Sequence, residues 1–452
     1  MKVVVTGGSG QLGSLVVARL IAQRKIKRVV SIDLLPPRVA SPKLEWHQAD
    51  ITDPRTGALL EGADVLVHTA FSLMGQAPDR MRSVNVEGSR RVFAAAIEHG
   101  ARAIVYTSSI AAYGVTAGHP SPIVESTPRR RTGIFPYADH KFDVEQQLDE
   151  LEARHPDLRV VRLRPSILFG TRITHGDARL LRRRVLPVVS DVPLPVVWDE
   201  DVAQAVLAAV LRDVRGAFNL SSDEHLSFAE LAAAGQMRAW RVPQGLLEGT
   251  RKLAPQLRKL GLRPPDPGWV DAAQFELAIS SERAKSELGW QPSCPTAADV
   301  ARSFNERTPR RLDPRIAVFM RGVAAAARSP RAQREVPPEG RRMSLVLHLE
   351  LTGQRGGDFT LRLHEGKLSI RRGVPRPLDA VISMSAETFL GVLSGTLNLG
   401  TARMTGKIRQ RGEPMADFML GAIVGGFRRT TEMPGGVGRA SRLMSRWLAR
   451  GG

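Results

Sequence analysis

The chain contains very little cysteine, since Cys294 is the single one among 452 residues. A disulfide framework within one chain is therefore excluded, and a reducing, cytoplasmic location is expected. No charged segment, apolar segment and cleavage site follow Met1, so we expect no signal peptide. Apolar runs are also short: Val202–Leu211 is about half as long as a segment that spans a bilayer.

Aromatic residues make up 5% of the chain, and few of them lie beside basic residues. Because nucleic-acid surfaces combine the two, we expect no nucleic acid as a partner. His, Cys and Asp do not cluster at metal-ligand spacing, so we expect no metal site. The net charge is nevertheless +20. This charge favours peripheral contact with an acidic membrane, with an ordinary basic solvated surface as the alternative.

Residues 1–309 alternate short β-branched runs with helical patterns. The expected strands are Val3–Val5, Arg28–Ile32, Val65–His68, Ala103–Thr107 and Leu158–Leu163, and the expected helices are Leu12–Gln23, Asn85–Glu98 and Tyr137–Leu151. This alternation predicts an α/β domain with a Rossmann-type, doubly wound parallel sheet.

The remaining chain divides into a basic linker at 310–342, a module at 343–430 and a basic tail at 431–452. Arg315–Arg328 in the linker and Arg439–Arg450 in the tail have the pattern of amphipathic helices. The module opens with leucines at every second position, as a half-buried strand does: Leu345, Leu347, Leu349 and Leu351. Its further strands and helices predict a C-terminal α+β domain.

A glycine-rich turn follows the first strand. Gly7, Gly10 and Gly13, with Gln11 and Leu12 between them, lie between an apolar strand and an apolar helix. Glycine permits the tight turn, the close approach of a pyrophosphate and the packing of helix against strand. The helix N-terminus then attracts the phosphates. Strand, turn and helix together predict a dinucleotide site.

Asp33 ends the second strand, 20 residues after Gly13. A carboxylate at this place can hold the ribose hydroxyls of the dinucleotide, and it repels a 2′-phosphate. We therefore expect NAD as the cofactor. Arg38 nearby leaves NADP open.

Tyr137 and Lys141 are four residues apart, which places them on one face of a helix. A neighbouring ammonium stabilises a phenolate and so prepares the tyrosine for proton transfer. Ser109 follows a predicted strand upstream and offers a hydroxyl to the substrate oxygen. Pro165 follows the next strand, where a wall beside the nicotinamide is expected.

These motifs, in this order, resemble the extended short-chain dehydrogenase/reductases, the group of the epimerases/dehydratases and 3β-hydroxysteroid dehydrogenases. The resemblance implies that Tyr137 is the general acid/base, Lys141 its partner and Ser109 the substrate-positioning hydroxyl. It also implies further cofactor contacts at Asp50, Ile51, Asn85 and Lys141, and a homodimer. Leu12 and Trp198 depart from the family pattern, which has an aromatic residue and a histidine there in many members.

The C-terminal module resembles the sterol carrier protein type 2 domain. The resemblance rests on Asp379–Met384, Leu393–Asn398 and Ala402–Ile408, followed by Gly412 and an apolar helix. It implies a tunnel for sterols, fatty acids or acyl chains. The apolar residues available for core and tunnel are Phe389, Leu390, Val392, Leu393, Leu397, Met404, Met415, Phe418, Met419, Leu420 and Ile423.

Together these features predict an NAD(P)-dependent oxidoreductase that acts on a hydrophobic alcohol or ketone, such as a steroid or another lipid, through Ser109, Tyr137 and Lys141. Tethering a lipid-binding module to such a site raises the local concentration of a poorly soluble substrate. Two alternatives stay open: a nucleotide-sugar epimerase or dehydratase, and a non-catalytic lipid-transfer or NAD-sensing protein.

Overall fold

The computed structural model describes residues 1–73, 77–171, 181, 185–249, 267–307, 312–327, 344–352, 356–365, 367–373, 378–432 and 435–449. By its internal contacts the chain divides into two units, Met1–Asn305 and Glu306–Gly452.

The N-terminal unit is built on a seven-stranded parallel sheet. Its strands are β1 (Lys2–Thr6), β2 (Arg28–Asp33), β3 (Leu44–Gln48), β4 (Val65–His68), β5 (Ala103–Thr107), β6 (Arg159–Pro165) and β10 (Gly216–Leu220). They lie in the order β10-β6-β5-β4-β1-β2-β3. The strand order reverses direction beside β1, and ligands of such sheets bind at this switch point.

Helices cover both faces of this sheet. They are α1 (Gln11–Ile21), α2 (Pro78–Arg82), α3 (Ser89–Glu98), α4 (Pro136–Arg154) and α5 (Asp199–Leu211). A π-helix at Ser83–Gly88 precedes α3, and 3-10 helices lie at Pro54–Leu60 and Ile110–Tyr113. Val3 and Val5 pack with α1 and α5, whereas Val4 packs with α3 and α4. This alternation makes two hydrophobic cores, one on each face.

Smaller elements complete the N-terminal unit. They are β7 (Ile167–Phe169), β8 (Val185–Val188), β9 (Val196–Trp198), β11 (Arg238–Arg241), α6 (Phe228–Ala234), α7 (Pro267–Ala272), α8 (Glu282–Ser286) and α9 (Ala297–Arg307). Asp201 in α5 accepts hydrogen bonds from the backbone of Ser293 and Cys294, at 2.8 and 3.0 Å. Trp198 is fully buried in this region, where it packs in a hydrophobic core.

The second unit has a five-stranded mixed sheet. Its strands are β12 (Ser344–Thr352), β13 (Gly357–His364), β14 (Lys367–Arg372), β15 (Ala380–Ser385) and β16 (Ile408–Gly412), in the order β14-β13-β12-β15-β16. β12 runs antiparallel to β13 and parallel to β15. The four alternating leucines of β12 are buried, as their period predicts.

Helices pack on this second sheet. They are α10 (Pro314–Ala326), α11 (Ala386–Ser394), α12 (Leu399–Met404), α13 (Met415–Glu432) and α14 (Gly435–Ala449). α10 lies within the predicted linker, yet Ile316, Phe319 and Met320 are buried in the core of this unit. The apolar residues of this segment recur at helical spacing. Burying them in the core stabilises a packed helix where the sequence analysis predicted a linker. The part of the linker at 328–342 lies outside the described residues.

The predicted tail also belongs to this core. In α14, Leu448 is buried and Met444 and Trp447 are partly buried against the core, whereas Leu443 is exposed. Two other expectations are wrong in detail. The sequence pattern predicts a strand over Met404–Arg409, but Met404 ends a helix and the strand begins at Ile408. Three residues of the expected apolar interior are exposed instead: Met404, Met415 and Phe418.

Within the described residues, no helix is long and apolar enough to cross a membrane.

Candidate active site

The glycine turn joins β1 to α1 as the motif requires. Gly7 has a φ of +75°, and a side chain there would collide with the backbone of Ala70. A Cβ on Gly13 would lie 2.1 Å from the carbonyl oxygen of Gly7. Gly10 caps α1 without a side-chain bond, and the first turn holds no acidic residue. The helix N-terminus therefore presents backbone N–H groups to an anion, which fits the pyrophosphate of a dinucleotide.

The two residues between these glycines have different side-chain environments. Gln11 is the first residue of α1, and its amide Nε2 donates to Asp199 Oδ2 at 3.3 Å. Leu12 is half-buried against the core beneath the sheet. Leu12 has no polar side-chain group and the Gln11 amide is directed at Asp199, so we look to the backbone N–H groups of these residues as the donors to a phosphate.

Asp33 lies at the end of β2, beside the glycine turn. Its Oδ2 accepts from the Ser9 backbone N–H at 2.9 Å, and its Oδ1 accepts from the Leu35 N–H at 3.0 Å. A carboxylate has about four acceptor sites, so both oxygens retain capacity for hydroxyl donors. This placement fits the predicted contact with the ribose of NAD.

Asp50 and Ile51 follow β3 in the chain. Asp50 accepts from the backbone and the hydroxyl of Thr52 and pairs with the Arg80 guanidinium at 2.5 Å. Burial raises the pKa of this carboxyl, but the bonds from Thr52 and Arg80 outweigh it and lower the pKa overall. Ile51 is buried and faces Gly88. A Cβ added to Gly88 would lie 3.0 Å from the side chain of Ile51. Both residues thus shape the loop at this edge.

Asn85 is buried in the π-helix and links two elements around the site. Its Oδ1 accepts from the Ser72 N–H at 2.7 Å, and its Nδ2 donates to the Ser72 carbonyl at 2.9 Å. Nδ2 also lies 3.3 Å from His140 Nδ1 on α4. Its amide thus holds the loop after β4, and a contact with the cofactor stays a prediction.

Lys141 follows Tyr137 by four residues on α4, and its side chain is buried. Its Nζ donates to the Thr107 carbonyl at 2.8 Å and lies 3.6 Å from the centre of the Phe71 ring. Burial lowers the pKa of this amine to about 7, although the Glu145 carboxylate acts in the opposite direction. Asp139 points elsewhere and accepts from the backbone N–H groups of Thr132 and Gly133.

Tyr137 lies in the first turn of α4, and Ser109 lies just after β5. Ser109 caps the 3-10 helix, where its Oγ accepts from the Ala111 N–H at 3.1 Å. Burial raises the pKa of the Tyr137 phenol, and a hydrogen bond with Ser109 partly offsets this rise. The structure thus brings Ser109 to Tyr137 and places Lys141 one helical turn away from it.

A buried carboxylate, Glu145, lies one turn beyond Lys141 and was missed at the sequence level. Arg164 donates to it through Nε at 3.0 Å and Nη2 at 2.6 Å, and Arg129 through Nη1 at 3.0 Å. The Ser108 hydroxyl is a further donor. Burial raises the pKa of Glu145, but the two guanidinium groups lower it overall.

This network holds the residues beside the predicted site. Ser108 precedes Ser109, and Arg164 precedes Pro165, which is buried at the end of β6. The four-residue spacing from Lys141 to Glu145 continues the catalytic stripe of α4 and could have revealed this carboxylate. The arginines could not be found this way, since they come from other parts of the chain.

An aromatic cluster surrounds Tyr137. The ring centroids of Phe71, Phe135 and Trp269 lie 5.5, 5.6 and 5.1 Å from that of Tyr137. Phe135 is buried, whereas Trp269 on α7 is 39% exposed. No local motif marks Trp269, because only the tertiary fold brings α7 to the start of α4.

His68 lies at the end of β4, where the sequence pattern predicts a residue that lines the cofactor site, but the structure places it in the core. The ring is fully buried, with Nδ1 2.6 Å from Thr6 Oγ1 and Nε2 2.9 Å from Ser89 Oγ. Burial, together with the charge of Lys141, lowers the pKa of His68 to about 3. His68 is therefore a neutral core residue that joins β1, β4 and α3.

Two family models match this chain. Residues 3–220 match the NAD dependent epimerase/dehydratase family, and residues 327–423 match the SCP-2 sterol transfer family. These matches confirm the two resemblances, the fold class and the extended short-chain dehydrogenase type of the enzyme domain. The expected cofactor, NAD, agrees with the description of the first family.

Individual proteins are similar to this chain over its enzyme domain. An uncharacterized protein of Mycobacterium bovis is 26% identical over 253 residues, which cover 53% of this chain and 66% of that protein. A UDP-glucose 4-epimerase of Streptococcus mutans is 26% identical over 319 residues, which cover 65% of this chain and 92% of the epimerase.

A solved structure of UDP-glucose 4-epimerase from Bifidobacterium longum, in complex with NAD+ and UDP, has the same fold. Its TM-score is 0.53 at 19% identity, and the match covers 68% of this chain and 97% of that one.

Proposed function

We propose that this chain, which joins an NAD-dependent epimerase/dehydratase domain to an SCP-2 sterol transfer domain, is an oxidoreductase of hydrophobic alcohols and ketones. The observation that supports this proposal most directly is the set of aromatic side chains around Tyr137. Its ring lies among Phe71, Phe135 and Trp269, so a substrate that reaches the phenol meets apolar walls. A sterol transfer domain in the same chain is consistent with a lipid substrate.

The residues divide the reaction among them. Ser109 and Tyr137 bond the hydroxyl of the bound alcohol, and the Tyr137 phenolate takes its proton as the carbinol C–H bond breaks. A bound NAD would supply the acceptor for the hydride that leaves the carbinol carbon. Lys141, in its protonated form, stabilises the phenolate electrostatically and so opposes the rise in the Tyr137 pKa that burial causes. The alcohol is thereby oxidised to the ketone, and the protonated Tyr137 returns its proton to solvent.

The glycine turn and Asp33 would hold the cofactor. The N-terminus of α1 binds the pyrophosphate, and the Asp33 carboxylate accepts from the ribose hydroxyls. Asp50, Ile51, Asn85 and Pro165 complete the proposed cofactor contacts.

The SCP-2 domain would supply the substrate. Its core includes Phe389, Leu393 and Leu420, and adaptable methionines line the same region. Because this domain is covalently linked to the enzyme domain, a lipid that it releases reaches the enzyme at a raised effective concentration. We further propose that the protein is cytoplasmic and takes up lipid during peripheral contact with acidic membranes.

A nucleotide-sugar epimerase is the second candidate, since a relative at 26% identity is a UDP-glucose 4-epimerase. The two candidates separate on a substrate panel. The purified full chain is incubated with NAD and hydroxysteroids, long-chain secondary alcohols or UDP-glucose, and both cofactor reduction and sugar epimerisation are followed. Reduction of NAD by the lipid alcohols is expected. Epimerisation of UDP-glucose without any lipid oxidation would refute the proposal.

Tyr137→Phe tests the assigned general base. Turnover is expected to fall by at least about a hundredfold, the usual contribution of a positioned acid or base. NAD should still raise the melting temperature of this variant, which controls for folding and cofactor binding. A variant that keeps its turnover contradicts the assignment. A wild-type protein that carries lipid but oxidises no alcohol would point to non-catalytic lipid transfer.

A further inference from the structure

Residues 108–113, the serine segment, carry the Ser109 hydroxyl between two buried contacts. At the start of the segment, the Ser108 hydroxyl donates to the carboxylate of Glu145 on α4. At its end, the buried phenol of Tyr113 accepts a hydrogen bond of 2.8 Å from a buried guanidinium group. The segment is therefore fixed on both sides of Ser109.

The guanidinium that bonds Tyr113 belongs to Arg164, which forms a buried ion pair with Glu145. Arg164 donates to the carboxylate through Nε and Nη2 and reaches the phenol with its third nitrogen, Nη1. The side chain of Glu145 is fully buried, and that of Arg164 is 5% exposed. Both contacts of the serine segment therefore end on one pair of opposite charges, the Glu145–Arg164 pair.

The Glu145–Arg164 pair also joins the elements that carry the candidate catalytic residues. Glu145 lies about two helical turns after Tyr137 on α4. Arg164 lies on β6, and the serine segment follows β5. The pair thus fixes α4 against the carboxyl ends of two neighbouring strands, and with it the position of Ser109 relative to Tyr137.

Stability alone is a poor explanation for these buried charges. Burying an ion pair has a desolvation cost that its attraction often fails to repay, and apolar residues of similar volume often stabilise a protein as well or better. What the pair adds is direction, because a guanidinium and a carboxylate bond in a few fixed geometries.

We propose that the Glu145–Arg164 pair is a positioning device, which holds the serine segment on α4 so that the Ser109 hydroxyl stays within reach of the Tyr137 phenol. What Ser109 does with a substrate rests on the proposed function, whereas the hold on the segment does not. Glu145 and Arg164 act through Ser109 in this proposal and need no contact with a substrate.

A neighbouring arginine offers a comparison. Arg162 lies two residues before Arg164 on β6, and its side chain is also 5% exposed. It pairs with Asp149 and Glu152 on α4, at 2.9 and 2.5 Å. Arg162 therefore holds α4 on the same strand, but within the described residues it makes no bond to the serine segment.

Hydrogen–deuterium exchange of the full chain tests how firmly the serine segment is held. The double variant Ser108→Ala/Tyr113→Phe removes both contacts and leaves the ion pair in place. Exchange of the amides of the segment should rise at least about tenfold, because a hydrogen bond to a charged group is worth at least that factor. Each single substitution should give an intermediate rise.

Tyr106→Phe is the matched control for this experiment. Tyr106 lies on β5 and is also buried, but its hydroxyl has no hydrogen-bond partner among the described residues. Its substitution should leave the exchange of the serine segment unchanged. If the double variant exchanges no faster than Tyr106→Phe, the inference is overturned.

Turnover of the alcohol that the wild type oxidises is the second measurement. The double variant should lose at least about tenfold in kcat, since a displaced hydroxyl no longer aligns with the phenol, and KM for NAD should change less than about threefold. Arg162→Met should lower the melting temperature yet keep kcat within about threefold. Equal losses of kcat in both variants would reduce the pair to a structural role and overturn the inference.

Failure of the inference differs from failure of the proposed function, because exchange requires no substrate. Epimerisation of UDP-glucose with no alcohol oxidised would overturn the proposed function, and kcat of the same variants would then be compared on epimerisation. Faster exchange of the serine segment with unchanged kcat would overturn the positioning role and leave the proposed function intact.

Discussion

Burial acts on Lys141 and Tyr137 in opposite directions. It lowers the pKa of the amine to about 7 and raises the pKa of the phenol, because both charged forms lose contact with water. In the protein without ligand, the lysine is therefore the member of this pair that titrates near neutral pH. The Thr107 carbonyl at 2.8 Å and the Phe71 ring at 3.6 Å retain the ammonium in this buried position.

The lowered pKa of Lys141 makes stability depend on pH with a definite sign. Between pH 7 and 10.5 the unfolded lysine is protonated and the folded one is neutral, so unfolding takes up a proton. The free energy of unfolding then rises with pH by about 1.4 kcal/mol per unit from this group. Lys141→Met removes this contribution to the slope. Above pH 7 the free energy of unfolding of the wild type should therefore rise relative to that of the variant. Below pH 7 the two free energies should change with pH in parallel.

Urea unfolding at pH 6, 8 and 9.5 measures this difference. Lys285→Met is the matched control. Burial lowers the pKa of Lys285, but its bonds to Asp223 and Glu282 raise it overall, so it is charged in both states up to pH 9.5. The free energy of unfolding of Lys285→Met should change with pH in parallel with that of the wild type. If the free energy of unfolding of Lys141→Met also runs parallel to the wild type at all three pH values, the buried amine keeps an ordinary pKa.

At the scale of elements, the first strand, turn and helix were predictable because their signals are local. The glycines, the β-branched strands and Asp33 follow one another within 33 residues of the N-terminal sequence, and their order alone predicts a dinucleotide site there. The Tyr137–Lys141 spacing is similarly local. Sequence periodicity also revealed the stripe of α10, although the helix packs in the second core and is not a linker.

Other features depend on contacts between distant parts of the chain. Trp269 meets Tyr137, and Arg164 meets Glu145, only after the sheet and helices assemble. Burial of His68 shows the same limit, since its position at the end of a strand is compatible with both the site and the core. The exposure of Met404 and Phe418 could not be predicted either, because hydrophobic character alone does not tell which apolar residues a fold leaves uncovered.

Asp33 lies at the end of β2, where the charge of its carboxylate should decide whether NAD or NADP binds more tightly. Asp33→Asn keeps the shape and one of the two oxygens that accept from the backbone N–H groups of Ser9 and Leu35, but removes the charge that repels a 2′-phosphate. The ratio of the Kd values for NADP and NAD should fall at least about tenfold, since a charge pair at 4 Å near a protein surface is worth more than 1.4 kcal/mol. Titration calorimetry with both cofactors measures it.

The control for this change is Asp53→Asn, at a capping residue of the 3-10 helix Pro54–Leu60. It is expected to leave the ratio of the two Kd values unchanged. A ratio that Asp33→Asn does not alter would mean that the carboxylate lies away from the 2′ position.

Charge and exposed apolar groups combine at the scale of the whole molecule. Half of the net charge of +20 lies in residues 331–452, which hold 20 basic and 10 acidic residues. In this unit Met404 is 84% and Phe418 is 75% exposed. The residues just before them, Arg403 and Asp417, form an ion pair of 2.7 Å, which joins the end of α12 to the start of α13. This ion pair brings the chain at Met404 close to the chain at Phe418, and we refer to the two exposed side chains as the Met404–Phe418 patch.

The Met404–Phe418 patch should bind acidic bilayers, because exposed basic residues on the neighbouring β16, Arg409 and Arg411, attract anionic headgroups while the apolar side chains insert. Co-sedimentation with vesicles containing phosphatidylglycerol should exceed that with pure phosphatidylcholine and should weaken with salt. Replacing Met404 and Phe418 by serine should reduce it several-fold. Leu443→Ser, at a residue 66% exposed on α14, is the control. Loss of binding with Leu443→Ser alone would assign the contact to α14 instead.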